Sequence, residues 1–157
     1  MYESYLKEES EIDKKIMKNH EIDYDTAIKF VSQKFPQVKI TEEFKEQDKK
    51  GSYDPLTKEI FIYQKSSQAV FHELGHHITI SVSKIAGDII KEYAKNEIMA
   101  EITCYLLFQK FDDHIDYNFA YSNVWANRIT DVFEIEEFEH VFNSISQFIE
   151  KEVGNIQ

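Results

Sequence analysis

The residues that decide the fold of this chain are 71–76, with the sequence Phe-His-Glu-Leu-Gly-His. They form an H-E-x-x-H motif in a stretch of helical periodicity, which Ser66 or Ser67 is placed to cap. Because four residues make slightly more than one helical turn, His72 and His76 fall on one face. Two imidazoles at that spacing can share one tetrahedral metal ion, and zinc favours such ligands. The motif therefore predicts a helix that carries two ligands of one Zn²⁺ ion.

The residues between the two histidines indicate what such a site would do. Glu73 lies about 100° around the helix from His72, so its carboxylate is expected beside the open coordination position. There it can accept a proton from a water whose pKa zinc has lowered to about 7. Gly75 costs about 1 kcal/mol relative to alanine in a helix, which indicates close approach of another backbone or of a substrate. His77 points away from this face and is expected to be exposed to solvent or to support a ligand. The alternative is a surface helix with chance histidines.

A third ligand is predicted from the next helix, at about Asp88–Phe111. Glu97 and Glu101 are four residues apart and fall on its apolar face, where carboxylates are costly unless they are paired or bound to metal. We expect Glu97 to be the ligand and Glu101 to support a histidine ligand, although the residues leave the reverse assignment open. The alternative is that both reach the edge of the helix, or that one pairs with Lys91 or Lys95. The apolar residues of this face are Ile90, Tyr93, Ala94, Ala100, Cys104, Tyr105 and Phe108.

The remaining patterns predict helices on both sides of a small sheet. A charged amphipathic helix is expected over 1–20, and a second helix from Asp25, as N-cap, to Phe35. A short strand follows near 38–44, and residues 52–63 are typical of a hairpin. Its strand Ile60–Ile62 is a candidate edge strand that would bind substrate backbone; the alternative is a plain core strand, and both can hold at once. Further helices are predicted at about 117–130 and 134–152. This order predicts an α+β fold with a small antiparallel sheet and a helical C-terminal part.

Composition excludes several classes of protein. The 157 residues carry a formal net charge of −11, which argues against a dedicated nucleic-acid binder. Ten acidic and two basic residues fall in 111–157, so most of the excess lies there. There is no apolar run of 18 residues, so no transmembrane helix or membrane partner is expected. The single cysteine, Cys104, is expected to be an inert core residue, and a cytoplasmic location is predicted.

The chain from Gly51 to about Val153 resembles the zincin-like metallopeptidase domain of ArdC-type antirestriction and phage polyvalent proteins. The gluzincin arrangement, an H-E-x-x-H helix followed by a glutamate helix, is part of this resemblance. The ImmA/IrrE peptidases are similar more loosely. The matching pieces are Tyr53-x-Pro55, Ile60-x-Ile62, Phe71-His72-Glu73-Leu74-x-His76, the run Tyr93-Ala-Lys-Asn-Glu97-Ile-Met-Ala-Glu101, and Ala120-Tyr121 with Trp125.

This resemblance implies a zincin fold, one bound zinc and a link to mobile elements or phage. It divides the chain into an N-terminal helical arm with a first strand, residues 1–50, and a metallopeptidase domain, residues 51–157. The single-stranded-DNA-binding domain of ArdC-type proteins has no basic counterpart in residues 1–50. Tyr121 is a candidate oxyanion donor, although the aromatic stripe to which it belongs also fits plain core packing.

Three functions are compatible with these residues. The first is a cytoplasmic zinc metallopeptidase that uses His72, His76 and Glu97 as ligands and Glu73 as general base on a protein or peptide substrate. The second is a non-catalytic, zinc-containing antirestriction or inhibitory module that binds a host or element-encoded protein. The third is a toxin-like or repressor-processing protease with the same chemistry and one target. Substrate identity and oligomeric state are not determined by the sequence.

Overall fold

The computed structural model describes residues 22–82, 89–111 and 123–154. Within these ranges the chain is a mixed α+β protein with five helices and one three-stranded sheet. The helix predicted over 1–20 lies outside the described residues. No helix in the described ranges combines the length and apolar character needed to cross a membrane. The elements in chain order are α1 (Tyr24–Lys34), β1 (Lys39–Glu42), β2 (Gly51–Asp54), β3 (Glu59–Ile62), α2 (Ser67–Val82), α3 (Ile89–Phe111), α4 (Asn123–Val132) and α5 (Ile135–Glu152).

The N-cap of helix α1 lies two residues earlier than predicted. Asp23, not Asp25, is the N-cap, and its carboxylate accepts a hydrogen bond of 2.7 Å from the backbone N–H of Thr26. Asp25 instead lies in the first turn, where a negative charge is favoured by the helix dipole. The helix buries Ala27, Phe30 and Val31, at the i, i+3, i+4 spacing of one face. The predicted helix is confirmed, and the predicted cap is wrong.

The sheet is mixed, which corrects the predicted antiparallel sheet. Strands β2 and β3 form the predicted antiparallel hairpin, with Tyr53 opposite Ile60. Strand β1 pairs parallel with β3, so the strand order is β1-β3-β2 and β3 is central. The predicted edge position of Ile60–Ile62 is therefore wrong, while the core reading is right: Ile60 and Ile62 are fully buried. Residues 43–50 connect β1 to β2 at the end of β3, where the N–H of Lys45 donates to the carbonyl oxygen of Tyr63 and the N–H of Tyr63 donates to that of Lys50.

Helix α2 is the centre of the molecule and packs against α1, β2, β3, α3 and α5. The Ser66 hydroxyl caps it by accepting a hydrogen bond of 3.2 Å from the N–H of Ala69. Its contact with α3 is very close at Gly75, where an added Cβ would lie 2.4 Å from the carbonyl oxygen of Ala100. The close backbone approach predicted for Gly75 is therefore confirmed, and the two helices carry the motif and the glutamates face to face.

The first and last described helices close the core on either side of α2 and α3. Helix α5 buries Val141, Ile145 and Ile149, and the buried Lys95 of α3 pairs with Glu137 of α5 at 2.8 Å. Helix α1 and strand β1 share this core with the residues after 50, and the predicted boundary between 50 and 51 stays a prediction. The fully buried large side chains include Phe35, Ile60, Ile62, Phe71, Leu74, Ile78, Ile98, Met99, Tyr105, Leu107 and Phe108.

Candidate metal centre

Aromatic packing fixes the motif helix next to the first histidine. The fully buried ring of Phe71 contacts the rings of Phe30 at 5.6 Å, Phe108 at 4.7 Å and Phe111 at 5.7 Å between centroids. Such pairs contribute about 0.5–1.5 kcal/mol each beyond their area burial. Because these rings come from α1 and α3, they set the rotation of α2 about its own axis. His72, the next residue, is thereby directed toward α3.

Two histidines and one glutamate converge between α2 and α3. The Nε2 atom of His72 lies 3.4 Å from Oε2 of Glu97, and Nε2 of His76 lies 3.0 Å from Oε1 of Glu97. One ligand atom from each of the three residues can be chosen so that all lie within 4.8 Å of one another. The histidine side chains are 19% and 15% exposed, so the group lies near the surface and open to solutes. These three residues could hold a metal ion.

The donor types and the spacing of this group suit a metal ion. Two imidazoles and a carboxylate are ligands that zinc accepts. The carboxylate of Glu97 lies with Oε2 toward Nε2 of His72 and Oε1 toward Nε2 of His76. Because all three ligand atoms lie within 4.8 Å of one another, one ion could contact them all after adjustment of the side chains.

Glu101 lies behind His72, on the side away from Glu97. Its Oε2 atom is 2.7 Å from Nδ1 of His72, and its side chain is only 7% exposed. A carboxylate in this position accepts a hydrogen bond from Nδ1–H. This bond fixes the tautomer of the ring and leaves Nε2 available as a metal ligand. Its other oxygen, Oε1, is buried without a hydrogen-bond partner among the described residues. The arrangement favours the predicted roles, Glu97 toward the ion and Glu101 in support, and both assignments stay predictions.

Glu73 is buried against the start of strand β2. Its side chain is largely excluded from solvent, and its Cγ would lie 3.2 Å from a Cβ added to Gly51. The same Cβ would lie 2.8 Å from the carbonyl oxygen of Phe61, so only glycine fits at position 51 without movement. Burial raises the pKa of Glu73, opposed by the adjacent His72 and His76. A carboxyl with a raised pKa is a better proton acceptor at neutral pH than an exposed one.

The charges of the cluster favour a cation. Burial alone would lower the pKa of His72, but the carboxylates of Glu101 and Glu97 outweigh it and hold that pKa well above its usual value. Burial opposes ionisation of Glu97, yet hydrogen bonds from His72 and His76 bring its pKa far below the usual range. With both imidazoles neutral, as metal ligands must be, the three carboxylates leave a formal charge of −3. A divalent cation would reduce that charge and replace the proton that His72 otherwise attracts.

His77 is a core residue, which corrects the prediction that it is exposed or supports a ligand. It is 3% exposed, its Nδ1 atom lies 2.6 Å from the hydroxyl of Tyr53, and its ring packs edge-on against Phe35. Burial lowers the pKa of His77, with a smaller contribution from Lys58. The Tyr53 hydroxyl and Nδ1 of His77 therefore satisfy each other inside the core. The place of His77 in the helical pattern of α2 does not predict its contact with Tyr53, because that contact depends on where β2 packs.

Other predicted positions have different outcomes. Tyr93 was expected on the buried face of α3 but is 62% exposed, so that prediction is wrong. Cys104 is fully buried, as expected, and its Sγ approaches the carbonyl oxygen of Gln68 at 3.7 Å. Tyr121 lies outside the described residues, so its role as oxyanion donor stays a prediction. Gly51 and Tyr53 were not singled out as site residues; Gly51 lies just before the predicted hairpin and Tyr53 lies within it.

No protein-family model, curated protein or solved structure matches this chain. The residues between α2 and α3 therefore carry the evidence for function in their own chemistry.

Proposed function

We propose that this chain is a zinc-dependent metallopeptidase with a zincin-like fold, of the kind carried by mobile elements and phage. The observation that supports it best is the convergence of His72, His76 and Glu97, with Glu101 on the far nitrogen of His72 and the buried carboxylate of Glu73 alongside. A structural zinc site needs four protein ligands and no general base, whereas three ligands leave a position open. The set is thus better suited to catalysis than to stabilising the fold.

In this proposal His72, His76 and Glu97 would hold the ion. When bound, it supplies Lewis acidity, which lowers the pKa of water and polarises a peptide carbonyl. Glu73 accepts the proton of the attacking water and then donates it to the leaving nitrogen. Glu101 keeps His72 in the tautomer that presents Nε2. The buried surroundings of Glu73 keep its pKa raised, which suits both proton transfers.

The test of this proposal compares wild type with Glu73→Gln, which keeps the shape of the side chain and removes the base. We expect one zinc per chain in both proteins by elemental analysis. We expect cleavage of a degenerate peptide pool, measured by mass spectrometry, to fall by about 10²- to 10⁴-fold in the variant. The matched control is Glu136→Gln on the exposed surface of α5, which should cleave as wild type does.

Two results would count against the proposal in different ways. Bound zinc without cleavage of peptides or of candidate partner proteins would favour the non-catalytic binding module. Zinc content that is unchanged by His72→Ala would place the metal elsewhere and overturn the site itself.

A further inference from the structure

Two of the large apolar side chains on the surface belong to the two helices that form the candidate metal centre. Five large hydrophobic residues are exposed in the described ranges: Phe44, Leu56, Ile80, Tyr93 and Ile135. Ile80, on α2, is 44% exposed, and Tyr93, on α3, is 62% exposed. Exposed apolar residues scattered singly are ordinary, but one on each of the two helices that supply the proposed ligands is a feature to explain.

The pairing of α2 with α3 places Ile80 and Tyr93 one helical turn beyond the proposed metal ligands, each on its own helix. The helices run antiparallel, since His72 contacts Glu101 while His76, one turn later, contacts Glu97. Ile80 follows His76 by four residues, and Tyr93 precedes Glu97 by four. Each step is one helical turn, or about 6 Å along the axis. Helical spacing therefore places Ile80 and Tyr93 one turn beyond His76 and Glu97, at the same end of the two helices.

The same face of α2 connects Ile80 with the proposed general base. Ile80 follows Glu73 by seven residues, which is two turns and nearly the same angular position. A line along the helix from Glu73 through His76 thus reaches Ile80 at the surface. Any peptide whose scissile bond lies at Glu73 and His76 and whose chain follows this face passes over the Ile80 side chain.

We propose that Ile80 and Tyr93 form an apolar subsite for a side chain of the substrate, which rests on the proposed peptidase function. An extended peptide advances about 3.3 Å per residue, so one turn of α2 corresponds to about two substrate residues. The subsite therefore selects an aliphatic or aromatic residue about two positions from the scissile bond. The substrate class is an extended, apolar protein segment. Acidic residues near the bond are disfavoured by the carboxylates of Glu73, Glu97 and Glu101.

Peptide libraries with one fixed position test this subsite. Phe, Leu, Ala, Ser or Glu is fixed at each position around the cleaved bond, and kcat/KM is measured for wild type, Ile80→Asn and Tyr93→Asn. We expect wild type to prefer Phe or Leu over Ser by about tenfold at one position two or three residues from the bond, and each variant to lose most of that preference. The control is Phe44→Asn, an exposed residue that lies against Lys65 just before the start of α2, which should keep the preference.

Binding without turnover provides a second readout. Fluorescein-labelled peptides with Phe or Ser at the selected position are titrated into Glu73→Gln and into the same protein with Ile80→Asn. We expect Phe to bind about tenfold tighter than Ser in the first protein and equally in the second. Equal wild-type cleavage of all libraries, or a preference that both variants keep, would overturn the subsite while leaving the peptidase in place. Bound zinc with no cleavage of any library would overturn both proposals.

Discussion

At the scale of single residues, the candidate centre depends on the neighbours of its functional side chains as much as on the three proposed ligands. Glu101 holds Nδ1 of His72 at 2.7 Å, and Gly51 leaves the space that the Glu73 side chain occupies. Neither residue would touch the ion, yet each sets the position of a residue that is proposed to work on it. Substitutions at these two positions therefore separate support of the site from its chemistry.

We expect Glu101→Gln to weaken zinc binding by about 10- to 100-fold, the range for lost partners of a histidine ligand. The glutamine amide oxygen can still accept a hydrogen bond from Nδ1–H of His72. It lacks the negative charge that makes the imidazole a stronger ligand. Affinity is measured by competition with a coloured chelator. Glu92→Gln, on the same helix and outside the cluster, is the control. Equal affinity in the Glu101→Gln protein and wild type would contradict a supporting role.

We expect Gly51→Ala to reduce hydrolysis while leaving zinc content unchanged. The new Cβ would lie 3.2 Å from the Glu73 side chain and 2.8 Å from the Phe61 carbonyl, so the strand or the glutamate must shift. The ligands on α2 and α3 are not touched. Ser52→Ala, the next residue of the strand, is the matched control. A shift in the pH profile of kcat/KM would identify displacement of Glu73, and loss of zinc would show a wider structural change instead.

At the scale of elements, the close contact between α2 and α3 aligns the two halves of the site. Gly75 brings the backbones together at Ala100, between the two histidines in sequence, and so brings Glu97 within reach of both. The motif and the glutamates could be predicted because helical spacing is local and carboxylates on an apolar face indicate a partner. The burial of His77 and the parallel pairing of β1 with β3 could not, because both depend on elements that meet only in the folded chain.

We expect Gly75→Ala to destabilise the protein by about 1–3 kcal/mol, the usual range for overpacking. Its Cβ would lie 2.4 Å from the Ala100 carbonyl oxygen, so the helices must separate. Zinc affinity should fall with stability, since Glu97 moves away from His72 and His76. Urea unfolding measures the first effect and chelator competition the second. Ser81→Ala, on the exposed end of α2, is the control. Unchanged stability would mean that this contact is looser than described.

The N-cap of α1 predicts a dependence of stability on pH. Hydrogen bonds from the Thr26 hydroxyl and backbone N–H lower the pKa of Asp23 below its usual value of 3.8. The folded state thus binds this proton less readily than the unfolded state. The stabilisation is full above pH 3.8 and is lost as pH falls through the lowered pKa. We expect wild type to exceed Asp23→Ala in stability at neutral pH, with the gap closing in acid. Asp23→Asn, which caps without titrating, should show no such closing.

At the scale of the whole molecule, α2 belongs to the core and to the candidate centre at once. Phe71, Leu74 and Ile78 are fully buried on one side, while His72 and His76 face α3 and the surface. Binding of an ion between α2 and α3 would therefore be linked to stability of the entire described core. A ligand that binds only the folded state stabilises it in proportion to the logarithm of its concentration.

We expect zinc at a hundredfold excess over its Kd to stabilise the protein by about 2.7 kcal/mol. For a chain of this size that corresponds to a rise in Tm of roughly 5–10 °C. Chelation should reverse the rise, and His72→Ala should abolish it. His140→Ala, an exposed histidine on α5, should respond as wild type does. A zinc response that survives His72→Ala would show that the ion binds elsewhere. The measurement is differential scanning fluorimetry over a range of free zinc concentrations.

The contact between strand β2 and helix α2 limits where residues can be inserted or deleted in this hairpin. Gly51 meets Glu73, and Tyr53 meets His77, so two strand residues match four helix residues over about 6 Å. A one-residue insertion or deletion within 51–54 would turn the opposite face of the strand toward the helix and place Ser52 against Glu73. Added residues in the turn at 55–58 would leave that match intact. Natural length variation in this hairpin is therefore expected at the turn and excluded from the strand.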